Sequence, residues 1–253
     1  MSRFYRLALV GDPVEHSRSP VMQREALRLS GLEGDYELIR ADRHVFVEVV
    51  ERLRSGDLDG VNVTMPLKSD AFELADVVTD EARGSVNTMR NRKGQIEGHS
   101  TDVVAFAELF SVFADALLIL GSGGSARAAL TAWTGAHVFV SARNSDRVAE
   151  LAGPVGATVV PWGTGVPGAL VVNATPLGMS GEHLPEEVLN NATGLIDLPY
   201  GDLETPAVGY ARAGNIRVVD GLEFLGIQAA ASFTWWTGAV VDSMLLVETA
   251  RNI

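Results

Sequence analysis

The sequence predicts an α/β protein with two domains, and this prediction depends on two observations. Short apolar runs alternate with segments of helical periodicity, which favours strand–helix–strand units and a largely parallel sheet. The alternation starts again at Leu117, where a continuous apolar strand runs directly into a glycine-rich turn. We therefore expect one α/β domain before a boundary near Asp102 and a second α/β domain after it.

The first domain is expected to start with alternating strands and helices and to end with a hairpin. Its strands are predicted at Leu7–Gly11, Tyr36–Ile39 and Val61–Thr64, and its helices at Pro20–Leu29 and about Val45–Leu53. Val86–Met89 and Gln95–Gly98 flank Asn91-Arg92-Lys93-Gly94, which is a typical hairpin turn composition. A helix over Asp102–Phe113 is expected to connect the two domains.

The second domain is expected to be a series of short parallel strands with intervening helices. The strands are predicted at Leu117–Leu120, His137–Val140, Thr158–Val160, Leu170–Val172 and Leu195-Ile196. Helices are predicted at Ser125–Ala132, after an opening residue Asp146, at about Pro206–Ala213 and at Phe224–Val247.

Composition excludes several classes of function. The formal net charge of -12 opposes binding to a phosphate backbone, so no nucleic-acid partner is expected. The absence of cysteine excludes disulfides and thiolate metal sites, and it fits a reducing cytoplasm. The long uncharged stretch Phe224–Val241 contains several polar residues and ends at Asp242, so it is interpreted as a buried helix rather than a membrane span. We expect a cytoplasmic protein with no membrane partner and no metal.

The glycine-rich turn after the strand Leu117–Leu120 matches the pattern G-x-G-x-x-A through Gly121, Gly123 and Ala126. In a dinucleotide site the first glycine permits the turn, and the second lets the backbone approach a pyrophosphate at a helix N-terminus. The turn itself consists of Gly121, Ser122, Gly123, Gly124, Ser125 and Ala126. The alternative is a strand-to-helix turn without a ligand, and the strand on each side of the motif disfavours it.

The next strand ends in Val140-Ser141-Ala142-Arg143-Asn144-Ser145, with no carboxylate at the position where NAD enzymes usually carry one. Arg143 stands there instead, and an arginine at this point can bind a ribose 2′-phosphate. The sequence therefore favours NADP over NAD. The alternative for Arg143 is a solvated loop cation.

Three segments of the first domain carry polar residues that an inert core does not need. Ser17 and Ser19 lie two residues apart before a helix N-terminus, which is a natural carboxylate site. Taken alone, this segment is better explained by Ser19 as the cap of the helix that begins at Pro20. Lys68 follows the strand and turn Gly60–Leu67, and on composition alone it is more often a surface lysine than a catalytic one. Asn87 and Asp102 are each also explained as turn or cap residues.

Taken together, these segments resemble the shikimate dehydrogenase family in their order and spacing from about residue 9 to residue 238. The matching segments are Ser17–Pro20 (S-x-S-P), Asn62–Lys68 (N-V-T-x-P-x-K), Asn87-Thr88, Thr101-Asp102, the glycine-rich turn, Asn173–Met179, Asp197–Tyr200 and Gly221–Gln228.

The resemblance implies reversible reduction of 3-dehydroshikimate to shikimate with NADPH, with Lys68 and Asp102 as the catalytic pair. It implies that Ser17 and Ser19 bind the substrate carboxylate. Further substrate contacts are implied for Thr64, Asn87, Tyr200 and Gln228, and further cofactor contacts for Asn144, Thr175 and Gly221. It also implies a substrate domain of residues 1–102 completed by a C-terminal helix at about 224–253, and a Rossmann-type NADP-binding domain of residues 103–223. The chain is expected to be a monomer or a homodimer.

The sequence departs from the family pattern at a few positions. Gln23-Arg24 replaces the usual His-Asn, Ser100 and Ala105 replace an asparagine and a glycine, and the NADP loop reads Ala142-Arg143-Asn144. None of these changes removes a proposed catalytic group. They leave open a quinate or aminoshikimate dehydrogenase of the same family. A non-catalytic NADP-binding sensor is the alternative from another class, and a sensor has no need of Lys68 and Asp102.

Overall fold

A computed structural model describes residues 3–82, 84–111 and 116–253 of the chain. The chain divides into two compact units, the first formed by Met1–Ala105 with Leu225–Ile253 and the second by Phe106–Phe224. The connecting helix runs over Thr101–Phe110, and the predicted residues Val112 and Phe113 lie outside the described part of the chain.

The described residues of the first unit form a six-stranded mixed sheet in the order β2-β1-β3-β5-β6-β4. Its strands are β1 (Phe4–Gly11), β2 (Glu33–Arg40), β3 (Gly60–Val63), β4 (Val77–Val78), β5 (Thr88–Arg92) and β6 (Gln95–His99). β1 pairs with β2 and β3 in parallel, whereas β5 pairs antiparallel with both β3 and β6. The carboxyl ends of β1 and β3 therefore lie side by side at one edge of the sheet.

The described residues of the first unit also form helices that precede or follow these strands. They are α1 (Ser19–Leu29), α2 (Arg43–Ser55), α3 (Lys68–Leu74), α4 (Thr101–Phe110), α8 (Gly221–Thr237) and α9 (Ser243–Arg251), of which α4 and α8 also extend into the second unit. Helix α2 starts where the carboxylate of Asp42 accepts a hydrogen bond from Val45 N, and it ends at Gly56 in the left-handed conformation. The indole of Trp236 in α8 donates to Met89 O at 3.1 Å, which fastens this helix to β5.

The second unit contains a six-stranded parallel sheet, counted over its described residues, in the order β12-β11-β10-β7-β8-β9. The strands are β7 (Ala116–Leu120), β8 (His137–Ser141), β9 (Thr158–Val159), β10 (Leu170–Asn173), β11 (Gly194–Asp197) and β12 (Arg217–Val219), and the helices are α5 (Gly124–Ala132), α6 (Ser145–Ala152) and α7 (Pro206–Ala213). This is the doubly wound order of dinucleotide-binding domains: successive strands are added on one side of β7 as far as β9 and then on its other side from β10 onward, so the strand order reverses between β7 and β10. Ligands of such sheets bind at that reversal point.

Two predictions of secondary structure were wrong in detail, and some short elements were not predicted. The single helix expected over Phe224–Val247 is two helices, because Gly238 adopts a positive φ and Asp242 caps α9 by accepting from Met244 N at 2.9 Å. The first hairpin strand is Thr88–Arg92 rather than Val86–Met89, because Lys93 and Gly94 both have positive φ and close a two-residue turn. Helix α3 and the short strands β4 and β12 were not predicted.

No helix in the described part of the chain has the length and apolar character that crossing a bilayer requires.

Candidate functional site

Lys68 and Asp102 form an ion pair in the first unit. Lys68 is the first residue of α3, after the turn that follows β3, and Asp102 lies in the first turn of α4. The Lys68 ammonium nitrogen is 2.5 Å from Asp102 Oδ2, and the two side chains are 15% and 7% exposed. A pair this close and this well shielded from water is ordered more strongly than a surface ion pair.

The second oxygen of the Asp102 carboxylate is held by Asn87. Asn87 Nδ2 donates to Asp102 Oδ1 at 2.8 Å, and Asn87 Oδ1 accepts from Thr101 N at 2.8 Å. The amide of Asn87 thus bridges the chain before β5 to the start of α4. Both oxygens of the carboxylate have a donor, so its orientation is set from two sides.

Helix α8 brings Gln228 to the same cluster. Gln228 Oε1 accepts from Thr101 Oγ1 at 3.2 Å and lies 3.5 Å from Asn87 Nδ2. One turn later Ser232, which is fully buried, donates to Gln228 O at 2.9 Å and accepts from Asn62 Nδ2 at 2.9 Å. These contacts fix the rotation of α8 relative to β3. The predicted residues Lys68, Asp102, Asn87 and Gln228 are therefore in one hydrogen-bonded cluster.

Ser17 and Ser19 follow β1, at the sheet edge where β3 also ends. The alternative that Ser19 only caps the following helix was wrong: the helix already includes Ser19, the N-cap position is Arg18, and no side chain caps it. Ser17 Oγ instead accepts from Ser19 N at 3.2 Å. This hydrogen bond closes a short local turn over residues 17–19, which leads into α1.

Thr64 is placed by hydrogen bonds between the ends of the same two strands. Thr64 N donates to Val10 O at 2.9 Å, and Asp12 N donates to Met65 O at 2.9 Å. The segment that follows β1 and the segment that follows β3 are therefore joined at their first residues, next to the start of α3 at Lys68.

In the second unit the glycine-rich turn has the backbone that a dinucleotide site requires. Gly121, directly after β7, has a φ of +117°, and a Cβ atom there would lie 2.6 Å from Ala174 O. Gly123 is at the N-cap position of α5, and a Cβ atom there would meet nothing within 4 Å. Ala126 is fully buried against the sheet. Open space beside Gly123 and the N–H groups of a helix N-terminus fit a bound pyrophosphate.

Two other predicted cofactor residues, Thr175 and Gly221, and the predicted substrate residue Tyr200 follow neighbouring strands of the same parallel sheet. Thr175 follows β10, Tyr200 follows β11, and Gly221 follows β12 at the first residue of α8. A Cβ atom on Gly221 would lie 2.5 Å from Leu198 O, so this position packs directly on the segment after β11. Because all strands of this sheet are parallel, these residues share one edge with the glycine-rich turn.

Arg143 and Asn144 follow β8 at that edge, and both are exposed. The Asn144 side chain caps α6 by accepting a hydrogen bond from Arg147 N at 3.0 Å. Its role as a helix cap accounts for Asn144 at this position without a cofactor contact. The side chain of Arg143 makes no such helix-capping contact.

Sequence reasoning assigned no role to several polar residues that organise the site. Thr101 and Ser232 belong to the cluster around Asn87, and Asn173, Asp197 and Thr205 form a second buried network in the second unit. A signal for Ser232 was present, because it lies four residues after Gln228 and so on the same helical face. Within the described residues, no group of three or more His, Asp or Glu side chains is arranged to hold a metal ion.

Comparison with known proteins gives consistent matches. A family model described as the shikimate dehydrogenase substrate binding domain matches residues 9–89. The shikimate dehydrogenase (NADP(+)) of Acidiphilium cryptum is 37% identical, covering 100% of this chain and 99% of its own, and that of Thermus thermophilus is 35% identical, covering 98% of each. The crystal structure of the Thermus thermophilus enzyme in complex with NADP(H) and shikimate matches with a TM-score of 0.90, covering 98% of this chain and 99% of that chain.

Proposed function

The chain belongs to the shikimate dehydrogenase family, and on that premise we propose that it catalyses the reversible NADPH-dependent reduction of 3-dehydroshikimate to shikimate. It is then an NADP-dependent oxidoreductase that acts on a CH–OH group, in the biosynthesis of chorismate and aromatic amino acids.

The observation that carries this proposal is the shielded Lys68–Asp102 pair. During reduction the carbonyl oxygen of the substrate gains negative charge and takes up a proton. An ammonium group beside that oxygen stabilises the charge and can donate the proton. Asp102, itself oriented by Asn87, keeps the ammonium of Lys68 in place. In the oxidative direction Lys68 accepts the proton of the substrate hydroxyl.

The second unit supports NADP as the cofactor; when bound in its reduced form, it would supply the hydride for the reduction. The backbone of Gly121–Ala126 and the N-terminus of α5 would hold the pyrophosphate. Arg143 would hold the 2′-phosphate, and Asn144, Thr175 and Gly221 would line the same edge of the sheet. In this proposal the second unit is the NADP-binding domain and the first is the substrate domain.

In the first unit, the substrate carboxylate is assigned to the hydroxyls of Ser17 and Ser19. Thr64, Asn87, Gln228 and Tyr200 are assigned to the ring substituents or the carboxylate, as membership of the family implies. The proposal further places the protein in the cytoplasm as a monomer or homodimer without a nucleic-acid or membrane partner.

The direct test is an absorbance assay at the NADPH band with shikimate and NADP as substrates. We expect NADPH to form with shikimate and NADP, and NADH to form much more slowly when NAD replaces NADP. Quinate in a parallel assay tests the departures at Gln23-Arg24 and Ser100. Faster turnover of quinate would reassign the substrate within the family, and NADP binding without turnover of either acid would indicate a cofactor-binding sensor.

A further inference from the structure

Asp197, at the carboxyl end of β11, is a buried acid that the proposed chemistry does not use. Its side chain is fully buried. Oδ1 accepts a hydrogen bond from Asn173 Nδ2 at 2.6 Å, and Oδ2 accepts one from the hydroxyl of Thr205. Asn173 ends the neighbouring strand β10, whereas Thr205 caps α7 by accepting from Val208 N at 3.2 Å. One oxygen of the carboxylate is therefore hydrogen-bonded to the end of β10, and the other is hydrogen-bonded to the start of α7.

The hydrogen bonds on the β10 side extend from Asn173 into the turn that follows that strand. Asn173 Oδ1 accepts from Thr175 N at 3.1 Å and from Thr175 Oγ1 at 2.6 Å. Asn173 Nδ2 also donates to Leu177 O at 3.0 Å, and Leu177 N donates to Thr175 Oγ1 at 3.2 Å. An ionised carboxylate only accepts hydrogen bonds, so it keeps the NH₂ of Asn173 toward β11 and the amide oxygen toward Thr175.

The turn after β10 packs directly against the glycine-rich turn after β7. Ala174 N donates to Leu120 O at 2.9 Å, and Ala174 O approaches Gly121 so closely that a side chain at Gly121 would collide with it. Leu120 and Asn173 end β7 and β10, the two parallel strands between which the strand order reverses. A displacement of the turn at Thr175 therefore changes the width of the crevice in which a dinucleotide is expected to bind.

A carboxylate is a costly group for a purely packing role at this place. Burial raises the pKa of the Asp197 carboxyl above its usual value, and the hydrogen bonds from Thr205 and Asn173 oppose that rise. The nearby carboxylate of Asp220 raises the pKa further, and Asp220 itself lies 3.2 Å from the guanidinium of Arg212. A buried acid with this cost needs its hydrogen bonds in order to be tolerated.

We propose that Asp197 is a positioning residue for the cofactor: by orienting the amide of Asn173, it holds the turn Ala174–Gly178 against the glycine-rich turn. The proposal rests on the NADP site assigned above and specifies which buried group sets its geometry. Asp197 does not contact the reacting atoms in this scheme, so its effect is on NADP binding and not on shikimate binding.

The experiment compares Asp197→Asn with Thr205→Ala in the full-length protein. The first change keeps the shape of the side chain but replaces one acceptor with a donor. The second removes the hydrogen bond from Thr205 to the other oxygen of the same carboxylate, together with the cap of α7. It leaves the hydrogen bond between Asp197 and Asn173 intact. For both variants and the unaltered protein, NADP binding is measured by titration calorimetry and thermal unfolding by calorimetric scanning. Steady-state KM for shikimate is measured alongside. Calorimetric titration gives stoichiometry separately from Kd, so an unfolded fraction is not mistaken for weaker binding.

We expect Asp197→Asn to raise the Kd for NADP about tenfold, as the loss of one charge-assisted hydrogen bond allows, with KM for shikimate unchanged within about twofold. Thr205→Ala should lower Tm but leave the Kd for NADP as it is. An unchanged Kd in Asp197→Asn overturns this inference alone, as does an equal rise in both variants that follows the loss of Tm. An unaltered protein that fails to bind NADP overturns the proposed function as well.

Discussion

The ammonium nitrogen of Lys68 lies 2.5 Å from Oδ2 of Asp102, at the meeting point of two helix starts and the carboxyl end of β3. Asn87 holds the other carboxylate oxygen at 2.8 Å. Because the carboxylate is held on its far side, the position of the ammonium is set by the fold and not by solvent. A lysine fixed in this way can meet the same substrate oxygen in every turnover.

Replacing Lys68 with methionine should lower kcat by roughly a hundredfold to ten-thousandfold, the usual contribution of a general acid–base group. Shikimate binding should change much less, because the serines and amides assigned to the substrate remain. Steady-state kinetics with shikimate and NADP make the measurement. The chain has only one other lysine, Lys93, at the tip of the β5–β6 hairpin, so Lys93→Met is a matched control that should leave kcat unchanged. A Lys68→Met enzyme with near-normal kcat would remove the assigned role.

Arg143→Ala should weaken NADP binding by about 1.5–3 kcal/mol, the range for a hydrogen bond to a charged group. NAD binding should barely change, because NAD lacks the 2′-phosphate. Titration of each cofactor gives both constants. Arg147, exposed in the first turn of α6, provides the control, and Arg147→Ala should affect neither cofactor strongly. Equal losses for NAD and NADP in Arg143→Ala would mean that Arg143 is structural.

The raised pKa of Asp197 predicts a definite sign for the pH dependence of stability. Between the unfolded pKa of about 3.9 and the higher folded pKa, the folded state binds more protons than the unfolded state. The contribution of Asp197 to the free energy of unfolding therefore falls as pH rises through this window. Other carboxyls, such as Asp35 and Asp76, have lowered pKa values and act in the opposite direction.

The contributions of those other carboxyls cancel when the free energy of unfolding of Asp197→Asn is subtracted from that of the unaltered protein. Chemical unfolding at a series of pH values from about 3.5 upward gives the two free energies of unfolding. We expect the variant to gain stability relative to the unaltered protein as pH rises through the window. A difference that does not vary with pH, or varies with the opposite sign, would contradict a raised folded pKa.

Local sequence patterns were sufficient to predict much of the fold. The glycine-rich turn at Gly121, the apolar strand before it and the helix after it lie within the continuous segment Ala116–Ala132, and they are where they were expected. The break at Gly238 was missed because the apolar pattern continues on both sides of it. Helix α3 was missed because it is short, and because Lys68 was considered as a site residue and not as the start of a helix.

The site divides in the same way. Motifs that adjoin a strand end, such as Asn62–Lys68 or Thr101-Asp102, locate their residues without the fold. The contacts of Ser232 with Asn62, or of Asp197 with Asn173, join segments 170 and 24 residues apart. No local pattern specifies such a partner, because the pairing depends on strand order and on the rotation of a helix.

The last prediction concerns how an acidic protein binds an acid. With a formal net charge of -12, the long-range field opposes an anionic substrate, so short-range donors must offset the repulsion. Ser17 and Ser19 are assigned to supply two hydroxyls beside the N-terminus of α1, whose dipole favours an anion by about 0.3–1 kcal/mol. Changing both serines to alanine should raise KM for shikimate strongly and leave NADP affinity intact. Added salt should not restore binding, because screening does not replace a hydrogen bond.

The two single variants separate substrate binding from local structure. Ser17 Oγ accepts from Ser19 N, so Ser17→Ala should cost about 0.5–1.5 kcal/mol of stability in addition to raising KM. Ser19 makes no capping contact, so Ser19→Ala should raise KM while its loss of stability stays below the roughly 1 kcal/mol of a removed cap. Thermal melting and steady-state kinetics on both proteins make the comparison. If Ser19→Ala lost stability and kept its KM, the carboxylate assignment would fail, because the hydroxyl would then act within the protein and not on the substrate.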